Sequence, residues 1–110
     1  MNDRIVGPPG TRIYSDGRNT IATFRNRELV RVSYVDIRLD PKGQRDVITQ
    51  RCLNQVSRML DLGYHIVRPR GSGWILETAR NTVIFRDALH ILRSIGRDQE
   101  YIRYEDNPEG

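Results

Sequence analysis

Apolar residues alternate with polar ones from Thr11 to Leu39, and the breaks in that alternation divide the segment. Runs at Thr11 to Ser15, Thr20 to Arg25 and Leu29 to Leu39 are separated by turns at Asp16-Gly17-Arg18-Asn19 and Asn26-Arg27-Glu28, which predicts a three-stranded meander. Within the third run, Val30, Val32 and Tyr34 share one parity and Val35, Ile37 and Leu39 the other. The apolar side therefore changes near Tyr34-Val35, where a bulge or bend is expected.

Asp40-Pro41-Lys42-Gly43 breaks the strand, and a helical period follows. At 100° per residue, Leu62, Ile48, Met59, Cys52, Val56, Leu60 and Leu53 fill one arc, interrupted by Gln55 and Thr49. Arg51, Arg58, Asn54, Asp61, Gln50 and Ser57 take the opposite side, and Gly63 supplies a left-handed stop. Runs at Tyr64 to Arg70, Trp74 to Thr78 and Thr82 to Arg86, with turns at Gly71-Ser72-Gly73 and Ala79-Arg80-Asn81, predict a second meander. Asp87 can then cap a short helix over Ala88 to Ile95 with an Ala88, Leu89, Leu92, Ile95 stripe. The expected fold is α+β in the order βββαβββα, with one long and one short helix packed on one face of an antiparallel sheet. Every strand-to-strand link is too short for a parallel crossover.

A chain of 110 residues suits one core. The division expected is an N-terminal arm over 1–10, a single α+β domain over 11–97 and an acidic tail over 98–110. Val6-Gly7-Pro8-Pro9-Gly10 disfavours helix and central strand, and the last residues, with Pro108, are expected to fray. No run has the length of a membrane span and the first residues lack a secretory signal, so a cytoplasmic protein is expected. A single cysteine, Cys52, excludes an intrachain disulfide and a thiolate metal cage built from one chain.

Charge is unevenly distributed. Residues 1–97 carry 17 basic against nine acidic side chains, whereas the last 13 carry Asp98, Glu100, Glu105, Asp106 and Glu109 against Arg103 alone. All but one of the basic residues are arginine, the exception being Lys42, which fits a GC-rich genome as well as selection for guanidinium chemistry. A basic body attracts polyanions or acidic protein surfaces. Arg51 and Arg58 lie one above another on the long helix, while Arg68 and Arg70 lie on the following strand. These four are the candidate nucleic-acid contacts, through backbone phosphates. The competing expectation is a solvated face in which the arginines pair with Asp36, Asp40, Asp46, Asp61 and Glu77.

Other chemistry is sparse. Tyr14, Tyr34, Tyr64 and Trp74 can stack on bases, although core packing claims most aromatics in so small a domain. Gly71-Ser72-Gly73 lacks the spacing of a phosphate cradle and reads as a hairpin turn. His65 and His90 are the two candidates for acid and base in phosphodiester cleavage, but no spacing brings them together. Cys52 lies on the apolar arc, where a thiol packs rather than reacts. No cluster of carboxylates or histidines has metal-ligand spacing, and neither a metal nor a cofactor is expected.

Two resemblances add to this reading. The expected α-β-β-β-α order from Val47 to Gly96 resembles that of double-stranded-RNA-binding domains and of the HicA type of toxin. Leu62-Gly63 and Gly71-Ser72 are similar to the toxin pattern, but Gly73 stands where that family has its catalytic histidine. The basic second-helix motif of the RNA-binding domains is absent. Paired strands followed by a helix opening Thr49-x-Arg51-x-x-Asn54 resemble small phage and mobile-element proteins, which implies an origin more than an activity. The functional expectation is a non-enzymatic binding protein that engages nucleic acid. The alternative is a module for an acidic protein partner or an inhibitor of a host protein, and a small ribonuclease ranks last.

Overall fold

The computed structural model describes residues 4–5, 9–42, 46–70, 73–93 and 99–105. Ten strands and one helix follow in chain order: β1 (Arg4–Ile5), β2 (Thr11–Ser15), β3 (Thr20–Phe24), β4 (Arg27–Val32), β5 (Asp36–Leu39), α1 (Val47–Leu60), β6 (His65–Arg70), β7 (Gly73–Glu77), β8 (Thr82–Phe85), β9 (Leu89–Arg93) and β10 (Glu100–Tyr104). The fold is α+β. Its larger antiparallel sheet has the order β1-β2-β3-β4-β5-β9-β10, in which β1 is only a two-residue edge pairing, and its smaller one is β6-β7-β8.

Four expectations change. The run from Leu29 to Leu39 is not one bent strand but two, β4 and β5, reversed through Ser33-Tyr34-Val35. Ser33 N–H donates to Asp36 O and the Ser33 hydroxyl accepts from Asp36 N–H, which closes a tight turn. The change of parity near Tyr34-Val35 is thus a chain reversal. The preceding turn sits at Arg25-Asn26, both at positive φ (53° and 66°). This pair fits the twist of a two-residue hairpin, so Arg27 and Glu28 belong to β4. A bulge opposite Ala22/Thr23 lets Leu29 and Val30, adjacent in sequence, both be buried.

The expected second helix is instead β9, a central strand with β5 on one side and β10 on the other. Leu89 and Ile91 alternate inward while His90 points to the outer face. Five residues carry both the helical and the alternating period, and two waiting strand edges decide between them. The expected arm and tail also contribute: Arg4–Ile5 pairs with β2, and residues 100–104 pair along their whole length with β9. Residues 106–110 lie outside the described residues.

Asp46 caps α1, its side chain accepting from Thr49 N–H at 2.7 Å, and Asp61 ends it in the left-handed conformation (φ 55°), two residues before Gly63. Cys52, Leu53 and Val56 face inward as expected, but so do Asn54 and Ser57, which the helical wheel puts outside. Both serve β6. Asn54 accepts from Ile66 N–H at 2.7 Å and donates to Ile66 O at 2.9 Å, where Gln50 also donates at 3.0 Å. The Ser57 hydroxyl donates to Tyr64 O and accepts from Tyr64 N–H. Helix side chains thereby replace a neighbouring strand along the β6 edge. One core results, in which Cys52, Leu53 and Val56 of the helix meet Val30, Leu39, Leu89 and Ile91 of the larger sheet and Ile66, Trp74 and Leu76 of the smaller.

Candidate nucleic-acid interface

Burial of the Thr49, Cys52, Leu53, Asn54, Val56 and Ser57 arc leaves α1 an outer arc that holds Val47, Ile48, Arg51, Arg58 and Met59, all exposed. Arg51 and Arg58 are seven positions, hence two turns and about 10 Å, apart along the axis. Arg58 donates to Gln55 Oε1 at 2.7 Å, and neither arginine has an ion pair among the described residues. In the Thr49-x-Arg51-x-x-Asn54 pattern, Thr49 and Asn54 are therefore inward and structural, and Arg51 alone is presented.

Tyr64 is held by Ser57 and Ile66 by Asn54 and Gln50, so β6 runs opposite to α1. The backbones of Arg68 and Arg70 follow along the same strand, toward the first turns of the helix, with a register shift between Val67 and Arg70 that accommodates Pro69. The side chains of Arg68 and Arg70 lie outside the described residues. Two further cations stand at the first turn of α1. Arg25 and Arg27 line a cleft with Phe24, Leu29, Asp46 and Thr49, and the Arg25 guanidinium lies over the Phe24 ring.

The outer face of the larger sheet treats its arginines differently. Register aligns Ile21, Arg31, Arg38, His90 and Arg103 in one row across five strands. Carboxylates neutralise most of it. Arg31 forms a two-pronged pair with Glu28 at 2.7 and 2.9 Å, and Arg38 one with Glu105 at 2.6 and 2.7 Å, with Asp40 at 3.3 Å. Hydrogen bonding to these carboxylates raises both guanidiniums, and Arg31 in turn lowers Glu28. Of the carboxylates expected to pair with arginines, Asp40 does so. The principal partners, Glu28 and Glu105, were not among them.

His90 belongs to this row. Its Nδ1 lies 2.9 Å from Asp36 and its Nε2 2.9 Å from Glu105, so both ring nitrogens are engaged by carboxylates. His65 stands on β6 in the other sheet. Among the described residues no hydrogen bond joins the two, and no group of three histidine, cysteine or acidic side chains is placed to hold a metal ion. Tyr64 and Trp74 are buried, whereas Tyr34 is the most exposed of the four candidate stacking residues. Cys52 is buried beside the Thr11 hydroxyl, and burial pushes its thiol up, away from a reactive thiolate. Arg70 pairs with Gly73, as a hairpin requires, while residues 71 and 72 lie outside the described residues.

Glu105 gives the row an acid-sensitive end. Hydrogen bonding from Arg38, with a contribution from His90, lowers its carboxyl to about 2 from the ordinary 4.5. A depressed acid stabilises the fold above its unfolded value and loses that contribution as pH falls through the folded one. Stability should therefore drop between about pH 4.5 and 2 as Glu105 releases Arg38. In Glu105→Gln, urea unfolding should be weaker at neutral pH and show a smaller loss across that interval.

A scan against protein-family models finds no match, and searches of curated proteins and of solved structures return no similar chain. What fold and surface define is an α+β protein in which Arg31 and Arg38 of the larger sheet are held by carboxylates, whereas Arg51 and Arg58 of α1 have no ion pair among the described residues. Among the described residues no helix is long and apolar enough to cross a membrane.

Proposed function

We propose that this chain is a non-enzymatic binding protein of the kind phages and mobile elements carry, engaging nucleic acid through backbone phosphates at Arg51, Arg58, Arg68 and Arg70. The observation that supports it is the contrast between the two surfaces. Arg31 and Arg38 are held by carboxylates, whereas Arg51 and Arg58 project from α1 with no ion pair among the described residues. Guanidiniums already neutralised gain little from a phosphate, and those in water gain by releasing counterions.

The test is binding of a labelled duplex across a salt series by fluorescence anisotropy. Affinity should fall steeply with salt, and Arg51→Ala with Arg58→Ala should flatten the log–log slope by about 1.8 if each contacts one phosphate. Both side chains are exposed, so circular dichroism should not change. Salt-independent binding, or an unaltered slope in the double variant, would overturn the reading.

A second reading, an acidic protein partner, is favoured by one feature. Val47, Ile48 and Met59 are 44%, 40% and 39% exposed beside the same two arginines, and phosphate contact has no use for such apolar surface. Ile48→Glu with Met59→Glu should abolish capture of a partner from nuclease-treated lysate on this reading. Retained capture by the double variant would remove it.

A further inference from the structure

Four strands stand at sheet edges among the described residues, and three of them are covered or short. The β6 edge is taken by Asn54, Gln50 and Ser57 of α1. On β8, which is four residues long, the Ile84 carbonyl accepts from the Tyr104 hydroxyl at 3.0 Å. The β1 edge is two residues long. β10 is different. It pairs with β9 over five consecutive residues without a bulge, contains neither Pro nor Lys, and has no further strand beside it among the described residues. Bulges, proline, lysine and a covering strand are among the devices that keep an edge from pairing with another chain. Of the two charges β10 does carry, Glu100 is turned inward and held by Thr78, Asn81 and Arg93, while Arg103 stands on the outer face.

The direction of its backbone groups follows from one bond. Glu105 N–H donates to Ala88 O at 2.9 Å, which makes that pair hydrogen-bonded in the β9 ladder. By alternation Tyr101 and Arg103 also turn their backbone groups toward β9, and Glu100, Ile102 and Tyr104 turn theirs to the open side.

We propose that a second copy of this chain docks there, β10 against β10, antiparallel about a twofold axis at Ile102. All five residues then pair. Ile102 exchanges both bonds with its own copy, and Glu100 exchanges both with Tyr104 at each end. On the outer face Tyr101, 59% exposed, lies opposite the exposed Arg103 of the second copy, a cation beside an aromatic ring, twice by symmetry. The extent of pairing selects this register. A shift of two residues either way leaves only three of the five residues paired, and one of the two shifts also sets Arg103 against Arg103. The joined edges form a continuous fourteen-stranded sheet with no like charges opposed in the seam.

Five-residue strands bury little apolar surface, so the dimer is weak and its population depends on concentration. Sedimentation velocity from micromolar to millimolar protein should show a monomer–dimer equilibrium. Ile102→Pro deletes the N–H groups at the axis and none that faces β9, and should give a monomer. Tyr101→Lys opposes two cations at both ends of the seam and should raise the dissociation constant about tenfold or more. Tyr101→Glu replaces them with ion pairs and should leave dimerisation intact or tighter. If Ile102→Pro does not fold, the two Tyr101 variants decide. A chain that stays monomeric throughout overturns the proposal, as does a dimer indifferent to the Tyr101 variants.

Discussion

Asn54→Leu should destabilise the protein by about 2–4 kcal/mol although leucine is the better helix former and the position is buried. The amide of Asn54 makes both bonds that a neighbouring strand would make to Ile66, accepting its N–H and donating to its carbonyl. Leucine removes both. Gln50 still reaches the carbonyl, but the Ile66 N–H is left in a fully buried residue with nothing replacing its acceptor. An orphaned donor of this kind carries most of the cost. Urea denaturation should show the loss in midpoint without a change in slope, and the melting temperature should fall by roughly 10 °C.

A second substitution separates this account from ordinary overpacking. Asn54→Asp is nearly isosteric and keeps the acceptor for Ile66 N–H, but sets a buried carboxylate against the Ile66 carbonyl. Its cost should grow as pH rises through the raised value of that carboxyl and shrink in acid, where the protonated form again donates. The leucine variant should have no such added dependence.

Asn54 also shows where the sequence misleads. On a helical wheel it stands with Arg51 and Arg58, because polar residues are assigned outward by default. What overrides the default is a strand edge lying beside the helix, and no feature local to Val47–Leu60 announces it. The same cause explains the lost second helix. Leu89 and Ile91 satisfy an alternating pattern as well as a helical one, and β5 and β10 compete for them from both sides. The tail is a different case: its acidic residues and Pro108 argue for fraying, and what makes residues 100–104 a strand is the β9 edge, which local composition does not reveal.

Elements fixed by local chemistry were legible. The turn at Asp16 to Asn19 follows from the aspartate side chain accepting from Arg18 and Asn19 N–H, and α1 follows from its period, its left-handed end falling at Asp61, two residues before the expected Gly63. The exposure of Arg51 and Arg58 was legible for the same reason. The neutralised row was not, since Arg38, His90 and Glu105 are brought together by pairing among three strands, two of which were misassigned. The hint available was a histidine flanked by Leu89 and Ile91: a polar residue between two aliphatic ones is what a half-buried strand requires.

Trp74→Ala should be the most damaging single substitution considered, costing about 3–5 kcal/mol. The ring is 1% exposed on the middle strand of the smaller sheet and is the largest fully buried side chain. A domain of this size has only about 5–15 kcal/mol in total, so the variant should be partly unfolded at physiological temperature. Ile66, Trp74 and Leu76 of the smaller sheet share one core with the helix and the larger sheet. Loss of Trp74 should therefore loosen both sheets together. Far-ultraviolet circular dichroism and tyrosine absorbance should report one coincident, shifted transition. If the smaller sheet melted first and left the larger one intact, the shared core would not be what joins them. Ile84→Ala, on the neighbouring strand but 64% exposed, should cost less than about 1 kcal/mol and serves as the control.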